Sequence, residues 1–258
     1  MRVTVCELRN RPEELAEDWR LLQEHAARER SELVLLPEMP FSAWLAGSAR
    51  VDPELWKAAV EEHEAWIGRL EELGAPAVLS TRPVLDSGAA HNEGFSWRAD
   101  GRTIRGVHRK YYLPEEEGFW EASWYRRGDG SFGLTDLNGV RAGFLICTEM
   151  WFTRHAREYC LGGIDLLACP RATLAPSTDK WLAGGRAAAV VSGAFCLSSN
   201  FSGSAEGGQS WGGTGWIIEP EEGEVLGTTR ADEPFLTLEI DLEVARTAKS
   251  TYPRYVDD

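Results

Sequence analysis

The chain has 258 residues, with 27 Lys and Arg against 41 Asp and Glu, a net charge of −14, and 43% hydrophobic and 26% charged residues. That length suits one large α/β domain or two small ones and needs no disulfide or metal to fold, and the acid excess argues against a nucleic acid or an anionic membrane as partner, because phosphate surfaces are held by clusters of Lys and Arg. No basic segment followed by a long apolar run opens the chain, no stretch approaches the ~18 apolar residues of a membrane span, and five scattered cysteines, an odd number, make no disulfide framework, so a reducing cytoplasm is expected.

Val3–Leu8 alternates as a strand. Pro12-Glu-Glu then opens a helix to about Arg30, with Leu15, Trp19, Leu22 and Ala26 on one face. Leu33–Leu36 is a short buried strand stopped by Pro37. Asp52-Pro53-Glu54 starts a second helix whose apolar stripe is expected at Leu55, Ala59, Trp66 and Leu70, and Ala77–Ser80 is another buried strand. His91–Arg98 and Arg102–His108 flank Asp100-Gly101, a strong hairpin signal. Val140–Ile146 is a strand ending at Cys147, Phe152–Leu161 a helix closed by Gly162-Gly163, Ile164–Cys169 a strand, Thr178–Ser192 a helix and Ala194–Ser199 a strand. A glycine-rich loop, Gly203–Gly213, leads to antiparallel strands at Trp216–Glu219, Glu224–Thr229 and Phe235–Ile240. No linker divides this pattern, so one α/β domain over residues 1–258 is expected, built from two βα halves that each end in antiparallel strands.

Three reactive side chains share one position in the pattern: Glu38, Lys110 and Cys147 each follow a strand, where α/β folds place reacting groups. A thiolate is a strong nucleophile and a thiol is not. A neighbouring ammonium favours the thiolate, and a neighbouring carboxylate can take its proton. Cys147 alone among the cysteines sits at a strand-to-helix junction; Cys6, Cys169 and Cys196 lie within apolar strands and Cys160 within a helix. Taken singly, each of the three also reads as a core or loop residue. A Cys-His pairing of Cys147 with His108 or His155 is a competing arrangement, but neither histidine has an evident orienting acid. No Cys-x-x-Cys or His-x-x-x-His spacing points to a metal, and Gly212-Gly-Thr-Gly215 enters a strand and no helix, so it is not a dinucleotide fingerprint.

The segment Leu35-Leu-Pro-Glu-Met-Pro-Phe-Ser42 resembles the catalytic-glutamate motif of the nitrilase (carbon-nitrogen hydrolase) superfamily. His108-Arg-Lys-Tyr-Tyr-Leu-Pro114 resembles its lysine motif, and Gly143-Phe-Leu-Ile-Cys-Thr-Glu-Met-Trp-Phe152 its nucleophile motif. Order and approximate spacing agree, and further similarity extends over Gly163-Ile-Asp-Leu-Leu, Trp181 with Gly185-Arg-Ala-Ala-Ala, Ser199-Asn200 and Glu239-Ile-Asp-Leu. The resemblance implies a four-layer αββα sandwich, often paired into homodimers or higher oligomers, and a thiol hydrolase needing no metal or cofactor. It implies Cys147 as nucleophile, Glu38 as general base and Lys110 as oxyanion stabiliser, with the Thr148 backbone N–H as second donor. The family's second glutamate aligns best with Glu121, with Glu115, Glu116 and Glu117 as competitors.

Trp120 and Trp151, close in sequence to these residues, and Arg171, at the head of the loop 171–178, are candidate substrate contacts; the tryptophans read equally as core packing. Many relatives read Phe-Pro-Glu after the nucleophile, where this chain has Phe152 before Thr153-Arg154. Many nitrilases carry Trp directly after the cysteine, where this chain has Thr148, which leans the expected substrate toward small amides or N-carbamoyl compounds and away from nitriles. A nitrile-cleaving enzyme and a non-catalytic binding scaffold are the alternatives.

Overall fold

The computed structural model describes residues 1–205 and 209–256. In the first half, β1 (Arg2–Leu8), β2 (Leu33–Leu35), β3 (Ala77–Asp86), β4 (Ala89–Arg98) and β5 (Thr103–Arg109) are interleaved with α1 (Pro12–Glu29) and α2 (Pro53–Ile67). The second half holds α3 (Glu121–Trp124), β6 (Leu134–Asp136), β7 (Arg141–Phe144), α4 (Thr153–Leu161), β8 (Leu166–Pro170), α5 (Thr178–Ser192), β9 (Phe195–Phe201) and β10 (Trp216–Ile218). It closes with β11 (Val225–Thr228), β12 (Phe235–Glu239) and α6 (Leu242–Ala248).

The strands form two six-stranded blocks, β5-β4-β3-β2-β1-β12 and β6-β7-β8-β9-β10-β11. Each has a parallel centre, β1-β2-β3 and β7-β8-β9, with antiparallel strands at its edges. They meet where β1 pairs with β9 through Glu7 opposite Asn200 and Leu8 opposite Phe201.

The period of two along each strand explains the layering. Val3, Val5, Leu33, Leu35, Ala77 and Leu79 point from the first block into a core shared with Ala142, Phe144, Leu166 and Leu197 of the second. The alternate residues Cys6, Leu8, Val34, Val78, Phe95 and Trp97 point the other way, onto Leu15, Trp19 and Leu22 of α1. Ala156 and Tyr159 of α4 and Ala188 and Ala189 of α5 cover the second block. The result is the four-layer αββα sandwich. No helix among the described residues is long and apolar enough to cross a membrane.

The structure departs from the sequence expectation at several elements. α2 buries Trp56, Ala59, His63 and Ile67; of the expected stripe Ala59 is buried and Leu70 is buried in the 3₁₀ turn Leu70–Leu73 that follows the helix, whereas Leu55 is 53% exposed and Trp56 takes its place. The larger indole wins the interior and donates to the Val84 carbonyl at 3.3 Å. His63 is accommodated as a neutral ring, its pKa pushed down to about 4 by burial. Its Nδ1 faces the Ala59 carbonyl at 2.8 Å and its Nε2 accepts from the Phe41 N–H at 3.3 Å. β3 runs on to Asp86 because it pairs along its whole length with β4. The short β6 and the helix α6 are additional elements. Part of the loop Gly203–Gly213, residues 206–208, lies outside the described residues.

Candidate active site

Three chain segments deliver the site. β2 ends at Leu35, and the chain continues through Pro37 to place Glu38 in the interior, its N–H donating to the Arg171 carbonyl at 3.3 Å. β5 ends at Arg109, and Lys110 continues its pairing, donating its N–H to the Asn92 carbonyl at 2.9 Å. β7 gives way after Phe144, and Cys147 opens a 3₁₀ turn, Cys147–Trp151, with φ of +48°. That left-handed backbone is uncommon for a residue with a side chain, and sites are where such strain is found.

The three side chains converge with Glu121 from α3. Lys110 Nζ lies 2.7 Å from Glu38 Oε1 and 2.6 Å from Glu121 Oε2, with all three side chains essentially inaccessible. Asn92 Nδ2 donates to Glu38 Oε1 at 2.8 Å, and the Tyr125 hydroxyl donates to Glu121 Oε2. Glu121 Oε1 and Glu38 Oε2 are buried without a hydrogen-bond partner. The Cys147 thiol lies beside the Glu38 carboxyl and lowers its pKa slightly, and its Sγ lies 4.0 Å from the Ala172 carbonyl oxygen.

Burial dominates the electrostatics. It raises the Glu38 carboxyl, and although the Lys110 ammonium pulls it back down, the Glu121 carboxylate adds to the rise and leaves Glu38 at about 7. Burial would discharge Lys110, but the Glu121 and Glu38 carboxylates overcome it and hold the ammonium above its ordinary value. Cys147 is pushed up by burial and then by the Glu38 carboxylate, against the pull of Lys110. The ammonium therefore does not produce a resting thiolate. The site holds a thiol beside a carboxyl poised to exchange a proton near neutrality.

A second buried pair ties two of these segments together. Glu149, in the turn that Cys147 opens, accepts from the Ile146 N–H at 2.9 Å, from the Tyr111 N–H at 2.7 Å and from His108 Nε2 at 2.7 Å. One carboxylate thus grips the residue before the cysteine and the residue after the lysine. His108 Nδ1 contacts the Ser131 carbonyl at 2.9 Å, and the ring lies against Phe132. Burial works against a charged imidazole here, but Glu149 outweighs it and the His108 pKa is raised. His155 is engaged by Glu158 and Tyr112. Both histidines therefore have the acid partners that were not evident in the sequence, and both ring nitrogens of each face groups other than the Cys147 thiol.

The cavity beside the cysteine has a volume of about 370 Å³ and is lined by Cys147, Thr148, Glu121, Glu116, Lys180 and Trp181, among others. Of the expected contacts, Thr148 lines it, while three others do not. Arg171 is buried behind the wall, where Nε donates to Ser198 Oγ at 2.7 Å, Nη1 to Thr173 Oγ1 at 2.8 Å and Nη2 to the Thr214 carbonyl at 2.7 Å. Its guanidinium also lies 3.9 Å from the Trp216 ring centre, and burial pulls its pKa down to about 10. With these donors engaged it braces the loop. Trp151 is 40% exposed and packs on Trp181, and Trp120 is half-buried with its backbone N–H on the Ala46 carbonyl. Glu121 is the acid on Lys110; of its competitors Glu115 bonds Ser123, Glu116 lines the cavity and Glu117 lies outside it.

Asn92, Tyr125, Glu149 and His108 complete the surroundings. Asn92 had a signal in the hairpin, but an offset obscures it: the register shifts by one residue at Gly94/Phe95, which brings Asn92 beside Lys110. Gly106, at that shift, permits it, since a Cβ there would sit 2.6 Å from the Glu93 carboxyl carbon.

The fold and this constellation agree with one class of protein, and comparison with known families identifies it. Residues 2–250 match the carbon-nitrogen hydrolase family, so the chain belongs to the nitrilase (carbon-nitrogen hydrolase) superfamily. The chain is similar to a citrullinase from Francisella tularensis, 29% identical over 57% of this chain and 52% of that one. It is also similar to an N-carbamoylputrescine amidase from Arabidopsis thaliana, 25% identical over 63% of this chain and 54% of that one. The chain thus matches about half the length of these two relatives. In fold it is similar to a carbon-nitrogen hydrolase from Helicobacter pylori, with a TM-score of 0.85, 22% identity and coverage of 99% of this chain and 94% of that one.

Proposed function

We propose that the chain hydrolyses the C–N bond of small primary amides or N-carbamoyl compounds through a thioester on Cys147. The observation that carries this reading is Glu121, a residue of the cavity wall whose carboxylate oxygen Oε1 is buried without a donor. A buried acceptor of this kind is costly unless a ligand supplies an N–H. The –NH₂ of an amide or ureido group supplies one, and a nitrile carries none.

The chemistry follows in balanced steps. Glu38 takes the Cys147 proton as Sγ attacks the carbonyl carbon. Negative charge collects on oxygen, where Lys110 Nζ and the Thr148 N–H, at the start of the turn, are the donors. Such preorganised donors contribute roughly 3–4 kcal/mol each. Glu38 passes its proton to the leaving nitrogen, the C–N bond breaks, and ammonia or an amine departs from an acyl-thioester. Glu38 then takes a proton from water, hydroxide adds to the acyl carbon, and collapse releases the acid and returns the proton to sulfur. Glu121 holds Lys110 and orients the amide nitrogen. Five free, buried cysteines fit a reducing compartment such as the cytoplasm, and a homodimer is the assembly expected with this reading.

The test is ammonia release from a panel of amides, N-carbamoyl compounds and nitriles. Mass spectrometry of acid-quenched protein should show the acyl adduct on Cys147. Cys147→Ala should lose turnover by a factor on the order of 10⁴–10⁶ while keeping its circular dichroism spectrum. Turnover surviving in that variant, or confined to nitriles, would overturn the reading.

A further inference from the structure

Resting on the amidase reading above, we infer that the cavity takes a zwitterion, a free α-amino acid whose side chain ends in an amide or ureido group. Glu116 and Lys180 line the same cavity as Cys147 and Glu121 and come from two separate segments of its wall. Glu116 belongs to a tight turn in which its N–H donates to the Phe119 carbonyl at 3.3 Å and the Phe119 N–H returns to the Glu116 carbonyl at 2.8 Å. Gly118 supplies the φ of +81° that this turn needs. Lys180 lies in the first turn of α5. Among the described residues, neither charged group has a side-chain hydrogen bond or ion pair, although Lys110 is held by two carboxylates and Lys249 by two carbonyls.

The surroundings give each charge a direction. Pro176 and Ser177, at the N-terminal end of α5, also line the cavity, and Ser177 makes no side-chain capping bond. The positive end of the helix dipole therefore adds to Lys180 on that side, and a carboxylate is the ligand group that answers both. Glu116 answers an ammonium. Phe119, Leu174 and Trp181 offer apolar wall for the methylenes that connect such a head to the scissile group. At about 370 Å³ the cavity is sized for a small metabolite. The buried, donorless Glu121 Oε1 favours the amide end of the ligand beside Cys147. An amide with an amine head alone leaves Lys180 facing a like charge, and an uncharged amide leaves both groups unused.

The experiment measures kcat and KM for ammonia release from four primary amides of matched length, bearing both charges, only the ammonium, only the carboxylate, or neither. The wild-type protein should prefer the zwitterion over each of the others by about tenfold in kcat/KM. Lys180→Met should raise KM for the carboxylate-bearing amides by about fivefold, with a smaller change in kcat, and Glu116→Gln should do the same for the ammonium-bearing pair. Lys180→Glu should move the preference toward the amide with the ammonium alone. Equal use of the uncharged amide, a preference for the amine-only amide, or an unchanged zwitterion KM in Lys180→Met would overturn this inference and leave the amidase reading standing. Ammonia from none of the four or of their ureido counterparts, with turnover confined to nitriles, would remove both.

Discussion

Glu38 is the residue from which the pH dependence of the reaction should originate. Its carboxyl sits at about 7, raised by burial against the pull of Lys110. The base form is the carboxylate, so kcat/KM is expected to rise with pH through about 7 and level off above it. Glu38→Gln should remove that limb along with most of the activity. An acid limb near the ordinary carboxyl range, measured in wild-type steady-state kinetics, would contradict this. The same ionisation has the opposite sign for stability. Folded Glu38 holds its proton more tightly than the unfolded chain does, so its contribution is most favourable below the ordinary carboxyl range and declines as pH rises toward 7.

Glu38, Lys110 and Cys147 were legible in the sequence because each follows an apolar strand within a recognisable motif. Arg171 was not legible as a structural residue, whereas for Trp120 and Trp151 the sequence offered core packing beside substrate contact. Nearness along the chain does not say which way a side chain turns: besides nearby Thr173, the Arg171 guanidinium reaches Ser198 and the Thr214 carbonyl, 27 and 43 residues away along the chain.

Among elements, the junction between β5 and the turn after β7 stands out. The Glu149 carboxylate accepts two backbone N–H groups and the His108 ring. Removing one member of such a buried set leaves the others unpaired, so Glu149→Ala should cost about 3–5 kcal/mol in urea denaturation. It should also lower kcat more than it raises KM, since Lys110 and Cys147 lose their common anchor. The raised His108 pKa has a signature of its own. Its contribution is present in full below the ordinary histidine value and is lost as pH climbs through the raised value of the folded state. His108→Gln should flatten that part of the plot of Tm against pH.

Periodicity also shows what sequence alone can and cannot give at this scale. It fixes α5 at both ends, Thr178–Ser192. In α2, where both Leu55 and Trp56 compete for one face, it cannot say which is turned inward. The register shift within the β4–β5 hairpin has no apolar signature at all.

At the scale of the molecule, the two strand blocks share one apolar core and a short seam between β1 and β9. Ser199 Oγ reinforces that seam, donating to the Leu35 carbonyl at 2.7 Å and accepting from the Cys6 N–H at 3.0 Å. Neither block can keep its inner face covered without the other, so a single cooperative unfolding transition is expected. Far- and near-ultraviolet circular dichroism should give coincident denaturation curves. Separate midpoints would mean that the halves are independent units. The alternation of strands and helices announced two βα halves, but the seam depends on pairs almost 200 residues apart, such as Glu7 with Asn200, which no local pattern encodes.

The packing of Trp151 against Trp181, ring centres 4.9 Å apart with Trp181 in the cavity wall, has a practical result. A guest arriving beside Trp181 should change the emission of this pair, read against the other tryptophans among the chain's eleven. The protein thereby carries its own optical reporter of occupancy. Ligands that are never turned over can be titrated by native fluorescence, with no dye and no coupled assay.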